Sequence, residues 1–158
     1  MSGVQLITRM DWDEARTGFL RLERAVADTT PTMRAIGTGM VASTQDRIDD
    51  ETTPDGNAFA RLKPAYAASK RGAGILRESA MRGGLQGSIT HLAQTTSVTI
   101  GTNKIYGAIH QFGGTDERPM TARPYLGISS DDREMIVDVI TRALARAIGS
   151  GPSSSHRR

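Results

Sequence analysis

The 158-residue chain contains no cysteine, few aromatic residues and no long apolar run. Without cysteine, disulfides and cysteine-ligated metal sites are excluded, and a reducing compartment is permitted. No apolar run approaches the length that spans a membrane, and the N-terminus lacks a signal-peptide pattern. We therefore expect assembly or action in the cytoplasm, with no membrane partner.

A block of charge of one sign is also missing. The chain has 20 lysines and arginines against 17 aspartates and glutamates, a net charge of +3, and the two signs are interleaved. This pattern favours an ordinary solvated surface over a nucleic-acid footprint. Apolar residues make up 37% of the chain and aromatic residues 4%, so we expect a lean core.

The length fits one domain that can bury a core of its own. We predict a single α+β domain over residues 1–149, with long helices packed against a small antiparallel β-sheet. Residues 52–84 are expected to form an extended loop or arm within it. Residues 150–158 are small, polar and basic, and they read as a flexible tail.

The first helix is predicted from periodic apolar residues after Asp11, which is placed to cap it. Residues 4–8 before it could form a short strand or a loose arm. The helix should end near residues 28–30. We expect it to bury one apolar face, formed by Trp12, Ala15, Phe19, Leu22 and Val26.

The second helix is predicted from Pro31, which suits a first helical turn, with Thr30 as the cap. It should run to about Asp50. Its internal Gly37 and Gly39 each weaken a helix by about 1 kcal/mol relative to alanine. Two explanations stay open: a tolerated defect, or the close approach of another helix or subunit. The face expected to be buried carries Met33, Ile36, Met40, Thr44 and Ile48.

The segment that follows is predicted to be irregular. Residues 53–56, Thr-Pro-Asp-Gly, are typical of a tight turn. Phe59 and Leu62 should fold back onto the core. Residues 66–82 contain helix formers interrupted by glycines, which indicates a broken helix or mobile arm that ends in a Gly83-Gly84 hinge.

The hydrophobic period then changes from helical to alternating. Residues 85–92 and 97–100 each alternate apolar and polar side chains, which predicts two short antiparallel strands joined by a polar turn. Residues 124–128 are expected to complete the sheet. A last helix should start at Ser129 or Ser130, carry one continuous apolar stripe and close at Gly149.

The most informative stretch lies between the strands and the last helix. Residues 106–112 have apolar side chains about one helical turn apart, which predicts a short buried helix. Gly113-Gly114 should end it, since glycine tolerates left-handed dihedrals. Arg123 precedes Pro124 and should therefore be extended. The loop that carries Asp116, Glu117 and Arg118 could be simply solvated. We favour a loop that faces a subunit or partner, because the planar guanidinium of arginine can bind carboxylates at two points and prolines restrict the loop.

His110 is the candidate for a catalytic residue, because histidine is the commonest general base. A catalytic histidine would need an orienting carboxylate and a nucleophile or a metal, and only Asp116 or Glu117 is near in sequence. We interpret His110 as structural, expect no catalytic residue, cofactor or metal, and keep a small hydrolase as one alternative. A second alternative, a nucleic-acid-binding module, would use Lys63, Lys70, Arg71, Arg77 and Arg82.

Two motifs carry a resemblance to a known family. Residues 109–114, Ile-His-Gln-Phe-Gly-Gly, are followed by residues 122–127, Ala-Arg-Pro-Tyr-Leu-Gly. In this order and spacing they resemble the signature of the phage virion morphogenesis family, the tail-completion or neck proteins of Mu-like and P2-like tailed phages. The resemblance spans about residues 30–148. Its structural motif residues are Tyr106, His110, Gln111, Phe112 and Pro124.

The resemblance implies a small α+β subunit that forms a ring, usually regarded as hexameric, at the head–tail junction of the virion. Such a ring completes the tail or neck and allows head–tail joining. Its implied partners are its own copies, neighbouring neck or connector proteins, and the tail tube or tail terminator. Phage DNA would pass through the lumen without sequence-specific binding, and no catalysis is implied.

A head-to-tail ring needs two different complementary patches on each subunit. Long loops in a compact domain are usually functional, so we expect the loop 113–123 to supply one patch and the arm 52–84 the other. The residues predicted to contact a partner are Phe59, Arg71, Gly113, Gly114, Asp116, Glu117, Arg118 and Arg123.

Overall fold

The computed structural model describes residues 12–70, 72, 74–77 and 84–149. These residues form five α-helices and a two-stranded antiparallel sheet, so the predicted α+β class is confirmed. The predictions for residues 4–8, the Asp11 cap, Arg71, the hinge at Gly83 and the tail lie outside the described residues. The elements are α1 (Trp12–Ala27), α2 (Thr30–Asp49), α3 (Pro64–Ser69), β1 (Ile89–Ala93), β2 (Val98–Thr102), α4 (Gly107–Phe112) and α5 (Ser130–Gly149).

Helix α2 is the centre of the fold and contacts β1, β2 and α5. Its predicted inner face is confirmed at Ile36, Met40, Thr44 and Ile48, which are buried, and Met33 of the same face is half-buried. A Cβ atom on Gly37 would lie 2.6 Å from His91 Cγ, and one on Gly39 would lie 2.8 Å from Met135 Sδ. Both glycines therefore allow close approach, by the sheet and by α5 of the same chain.

The start of α2 differs from the prediction in detail. Thr30 is already helical, and Thr29 occupies the capping position without a side-chain cap bond. The Thr30 N–H donates instead to Asp28 Oδ1 at 3.0 Å. Hydrogen bonds from the side chain and the backbone of Thr30 hold the pKa of Asp28 below its usual value.

The two predicted strands pair in antiparallel register, from Ile89 opposite Thr102 to Ala93 opposite Val98. Strand β1 starts later than the alternation suggests, because residues 86–88 form a 3₁₀ turn. The predicted third strand over 124–128 is wrong, since that segment is irregular. The N–H groups of Tyr125 and Leu126 donate to the side chain of Gln111 in α4 rather than to a neighbouring strand.

The core lies between α2, β1 and the loops. The turn at 53–56 is confirmed, with a hydrogen bond from Gly56 N to Thr53 O at 2.9 Å and a φ of +80° at Gly56. As predicted, Phe59 is buried and Leu62 packs against the core. The arm contributes the short helix α3 and, besides Phe59, the buried side chains of Ile75 and Leu76. The buried core cluster comprises Ile48, Phe59, Ile75, Leu76, Leu85, Ile89 and Tyr125.

Several apolar side chains that were expected to be buried are exposed. Phe19 and Val26 of α1 are 73% and 59% exposed, and Phe112 of α4 is 80% exposed. Helix α1 packs against α5, which covers only part of the apolar face of α1. The predicted inward placement of these three side chains is therefore wrong for the single chain. Among the described residues, no helix is both long and apolar enough to cross a membrane.

Candidate subunit interface

Gln111 joins the two motifs of the central stretch. Its Oε1 accepts hydrogen bonds from the N–H groups of Tyr125 (3.0 Å) and Leu126 (2.9 Å), and its Nε2 donates to Leu126 O at 2.9 Å. The Arg123 N–H adds a bond to His110 O at 2.7 Å. The first motif therefore holds the second one in an extended path, which explains why 124–128 needs no sheet partner.

Tyr125 anchors this path from its other end. It is 1% exposed, and its hydroxyl donates to Gly107 O at 3.2 Å. Burial raises the pKa of the Tyr125 phenol, which keeps it neutral and able to donate. A Cβ on Gly107 would lie 2.9 Å from that hydroxyl oxygen, so a glycine is needed where α4 meets the tyrosine.

Arg123 ties the central stretch to the loop that carries Phe59. Its Nε donates to Ala60 O at 2.6 Å and its Nη2 to Arg61 O at 3.0 Å. Arg123 is 6% exposed and Phe59 is 4% exposed. These two side chains, predicted to contact a partner, are therefore engaged in contacts within the chain.

A buried ion pair holds the start of α5 against α2. Arg47 Nη2 lies 2.5 Å from Asp132 Oδ2, and Arg47 Nη1 donates to Tyr125 O at 2.9 Å and Gly127 O at 3.2 Å. Burial raises the pKa of Asp132, but hydrogen bonds from Ser43 and Ser129 and the charge of Arg47 outweigh it and lower that pKa.

Sequence reasoning missed the ion pair, although two signals pointed to it. Arg47 lies on the buried face of α2, between Thr44 and Ile48, where a cation needs a buried anion. Ser129 and Asp132 also have capping-box spacing. Asp132 N donates to Ser129 Oγ at 3.1 Å, and Ser129 N donates to Asp132 Oδ2 at 2.8 Å. Ser129 is thus confirmed as the cap.

The loop after α4 follows the predicted course. Gly113 has a φ of +90° and ends the helix, and Gly114 N donates to Met120 O at 2.9 Å. A Cβ on Gly114 would lie 2.6 Å from Met120 N, so the loop can close only around a glycine. A turn over 115–118 then leaves Asp116, Glu117 and Arg118 exposed.

A cavity of about 630 Å³ lies between the arm and this loop. We call it the basic cavity, because four cationic residues and one acidic residue line it. The loop 113–123 and the arm 52–84, predicted as two separate patches, thus line the same depression. The charged residues that line it are Arg61, Lys63, Lys70, Asp116 and Arg123, and the apolar and aromatic ones are Leu62, Tyr66, Ile75, Leu76, Tyr106, Pro119 and Met120.

The basic cavity also contains His110, the residue weighed for catalysis. Its imidazole packs edge-on against Tyr106, with ring centroids 5.8 Å apart. His110 and Asp116 line the same cavity, whereas Glu117 does not. Within the described parts of the chain, no group of three or more histidines and acidic residues is arranged to hold a metal ion.

Among the described residues, two of the cations proposed for nucleic-acid binding are already engaged within the chain. Lys70 Nζ donates to Arg77 O, and Arg77 Nη1 lies 3.1 Å from Asp49 Oδ1. Arg71 and Arg82 lie outside the described residues. Lys63 is exposed and lines the basic cavity. The geometry therefore gives this alternative little support.

Comparison with known proteins gives matches over most of the chain. A family model described as "Phage virion morphogenesis family" matches residues 10–145. "Putative capsid assembly protein G" of Escherichia phage Mu is 30% identical over 123 residues, which cover 73% of this chain and 79% of that protein. "Mu-like prophage FluMu G protein 2" of Haemophilus influenzae is 29% identical over 131 residues, covering 80% and 86%. No solved structure matches the chain.

Proposed function

Because the chain belongs to the phage virion morphogenesis family, we propose that it is a structural subunit that forms a ring, with six copies expected, at the head–tail junction of the virion. The ring completes the tail or neck so that a filled head can attach. Its neighbours are neck or connector proteins on one side and the tail tube or tail terminator on the other. Phage DNA passes through the lumen without sequence-specific binding. The family match over residues 10–145 carries this proposal.

The basic cavity can serve as one contact surface of such a ring. Its outer wall is the loop that presents Asp116, Glu117 and Arg118 to solvent. Gly113 and Gly114 fix the course of that loop through its backbone. Pro119 and Pro124 restrict its backbone further. A loop held in one conformation loses little entropy when it binds a neighbouring subunit.

The loop can be tested directly in the purified protein. Replacing residues 114–121 with a short glycine linker should abolish assembly, measured as solution mass by light scattering. The matched control is a linker of the same kind in the polar turn at 94–97, which should leave assembly unchanged. A normal ring in the first variant would contradict the loop assignment.

The ring proposal requires no enzymatic turnover. A His110→Ala variant therefore distinguishes it from the hydrolase alternative. On the structural proposal, this variant either keeps assembly or loses it together with folding. The hydrolase alternative predicts a folded variant that assembles and loses a hydrolytic activity present in the wild-type protein.

The decisive experiment removes the protein from the phage or prophage that encodes it, by a nonsense mutation early in the gene. Electron microscopy should show filled heads and separate tails, and the wild-type gene supplied in trans should restore joined particles. Labelled antibody should mark the head–tail junction of those particles. A block before heads form would place the protein in capsid assembly instead and would overturn the junction assignment.

A further inference from the structure

Helix α5 carries apolar side chains on a side that faces solvent. Val137, Ile140, Leu144 and Ile148 are 62%, 39%, 42% and 64% exposed. They follow one another at steps of three, four and four residues, so they share one side of the helix. We call these four residues the α5 stripe. A row of this length is more than the single exposed apolar residues that need no explanation.

The α5 stripe is separate from the side of α5 that packs in the chain. Helix α5 contacts α1 and α2, and Ile136, Val139 and Ala143 on the neighbouring arc are half-buried. The helix is therefore apolar over two adjoining arcs, and the described residues of the chain cover only one of them. Anchors at this spacing are those of an amphipathic helix that lies in an apolar groove of another molecule.

The basic cavity has the size and lining that such a helix requires. Its volume of about 630 Å³ can take several aliphatic side chains. Two of its apolar lining residues, Tyr66 and Met120, are 55% and 44% exposed and so have area left to bury.

Acidic residues of α5 can meet the cations of the basic cavity. Asp131 and Glu134 are exposed in the first half of α5, on either side of the exposed Arg133, and Asp138 is exposed and paired with Arg142. Arg61 and Lys63 are exposed where they line the basic cavity. Opposite charges across an interface favour the correct pairing and fix its register.

We infer that the α5 stripe of one copy docks into the basic cavity of the next copy. The inference rests on the proposed ring, because a head-to-tail ring joins two different patches of the same chain. The loop and the arm line one cavity and so supply only one patch. The α5 stripe supplies the second one.

Two double variants and one control test the inference. The stripe variant carries Val137→Glu and Ile148→Glu, and the cavity variant carries Tyr66→Glu and Met120→Glu. All four side chains are exposed, so both variants should fold, which circular dichroism checks. The control is Ile105→Glu, because Ile105 is 97% exposed and belongs to neither surface. By light scattering, the wild type and the control should form a closed oligomer, and each double variant should remain a monomer.

Mixing the two variants gives the sharper result. The stripe variant keeps an intact cavity, and the cavity variant keeps an intact stripe. An equimolar mixture should form a one-to-one complex, with twice the chain mass of 17.0 kDa, and nothing larger. If the stripes instead paired with each other, the cavity variant would dimerise alone and the mixture would form no mixed complex. That result would overturn the inference.

Two other outcomes would also overturn it. A stripe variant that forms the wild-type oligomer but unfolds at a lower temperature would show that the stripe packs within its own chain, while the ring proposal would stand. A wild-type chain that stays monomeric at every concentration overturns the inference. The ring proposal fails separately, if antibody does not mark the head–tail junction of complete particles.

Discussion

Two regions of the molecule are held in different ways. The first, which we call the anchored region, consists of Arg47, Gln111 and Arg123 with the backbone segments that they bind. Each of these side chains makes more than one hydrogen bond to the backbone of a loop. Arg47 and Arg123 donate to carbonyl groups, and Gln111 accepts from two N–H groups. The second region is the helix pair α1 and α5, where apolar side chains remain exposed and the ion pair between Asp138 and Arg142 lies on the surface.

The two regions differ in how strongly their polar interactions stabilise the fold. Buried polar groups that are fully paired fix a single conformation, and removing one partner leaves the other unsatisfied. The exposed i,i+4 pair on α5 contributes only about 0.3–0.5 kcal/mol. The anchored region is thus specified within one chain, whereas the outer face of α5 is suited to contact with another molecule.

The largest effect should come from breaking the ion pair between Arg47 and Asp132. Arg47→Ala leaves Asp132, which is 2% exposed, buried without its cation. We expect the free energy of unfolding to fall by about 3–5 kcal/mol, measured by urea denaturation. Arg142→Ala removes the exposed pair and is the matched control, with a loss of at most about 0.5 kcal/mol. Equal losses in the two variants would contradict the contrast between the regions.

Acid should reveal the same ion pair without any substitution. The pKa of Asp132 lies below its usual 3.8 in the folded chain, so its contribution to stability is fully present above that value. The contribution is lost as the pH falls through the lowered pKa, because the unfolded chain then binds the proton more readily. The wild type should therefore lose more stability on acidification than Asp132→Asn does. Parallel pH profiles for the two proteins would contradict this.

A smaller loss is expected when Gln111 no longer bonds the second motif. Gln111→Met keeps the length of the side chain but leaves the N–H groups of Tyr125 and Leu126 without their acceptor. We expect the free energy of unfolding to fall by about 1–3 kcal/mol. Gln111→Glu keeps an acceptor for both N–H groups and should cost less. Equal losses of unfolding free energy in the two variants would contradict the role of these hydrogen bonds in holding the second motif.

The helices and strands could largely be predicted because their signals are local. Periodicity and capping residues placed α2, both strands and α5, and the glycines placed the turn at Gly56 and the exit at Gly113. The path of residues 124–128 could not be read in this way. Its apolar residues fit a strand, but the N–H groups of Tyr125 and Leu126 donate to Gln111, which lies 14 and 15 positions earlier in the chain.

The candidate interface was harder to predict than the fold. Sequence reasoning selected the loop and the arm, but it could not show that they line one cavity, because that depends on how Arg123 reaches Ala60 and Arg61. It also assigned the apolar side chains of α1 and α4 to the core. Periodicity identifies an apolar face without identifying what covers it, within the chain or in a neighbouring subunit.

The smallest effect compares two helical glycines, one in the central helix α2 and one in α1 of the helix pair. In α2, a Cβ on Gly37 would lie 2.6 Å from His91 Cγ and 2.9 Å from Val98 Cγ2, whereas in α1 a Cβ on Gly18 would meet no described residue within 4 Å. Alanine gains about 1 kcal/mol over glycine in a helix, but a forced shift in a packed core costs about 1–3 kcal/mol. Gly18→Ala should therefore raise the free energy of unfolding by up to about 1 kcal/mol, and Gly37→Ala should lower it by about 1 kcal/mol. Thermal and urea unfolding would measure both changes. Equal gains in the free energy of unfolding would mean that the sheet shifts easily to make room for a Cβ on Gly37, which would contradict tight packing there.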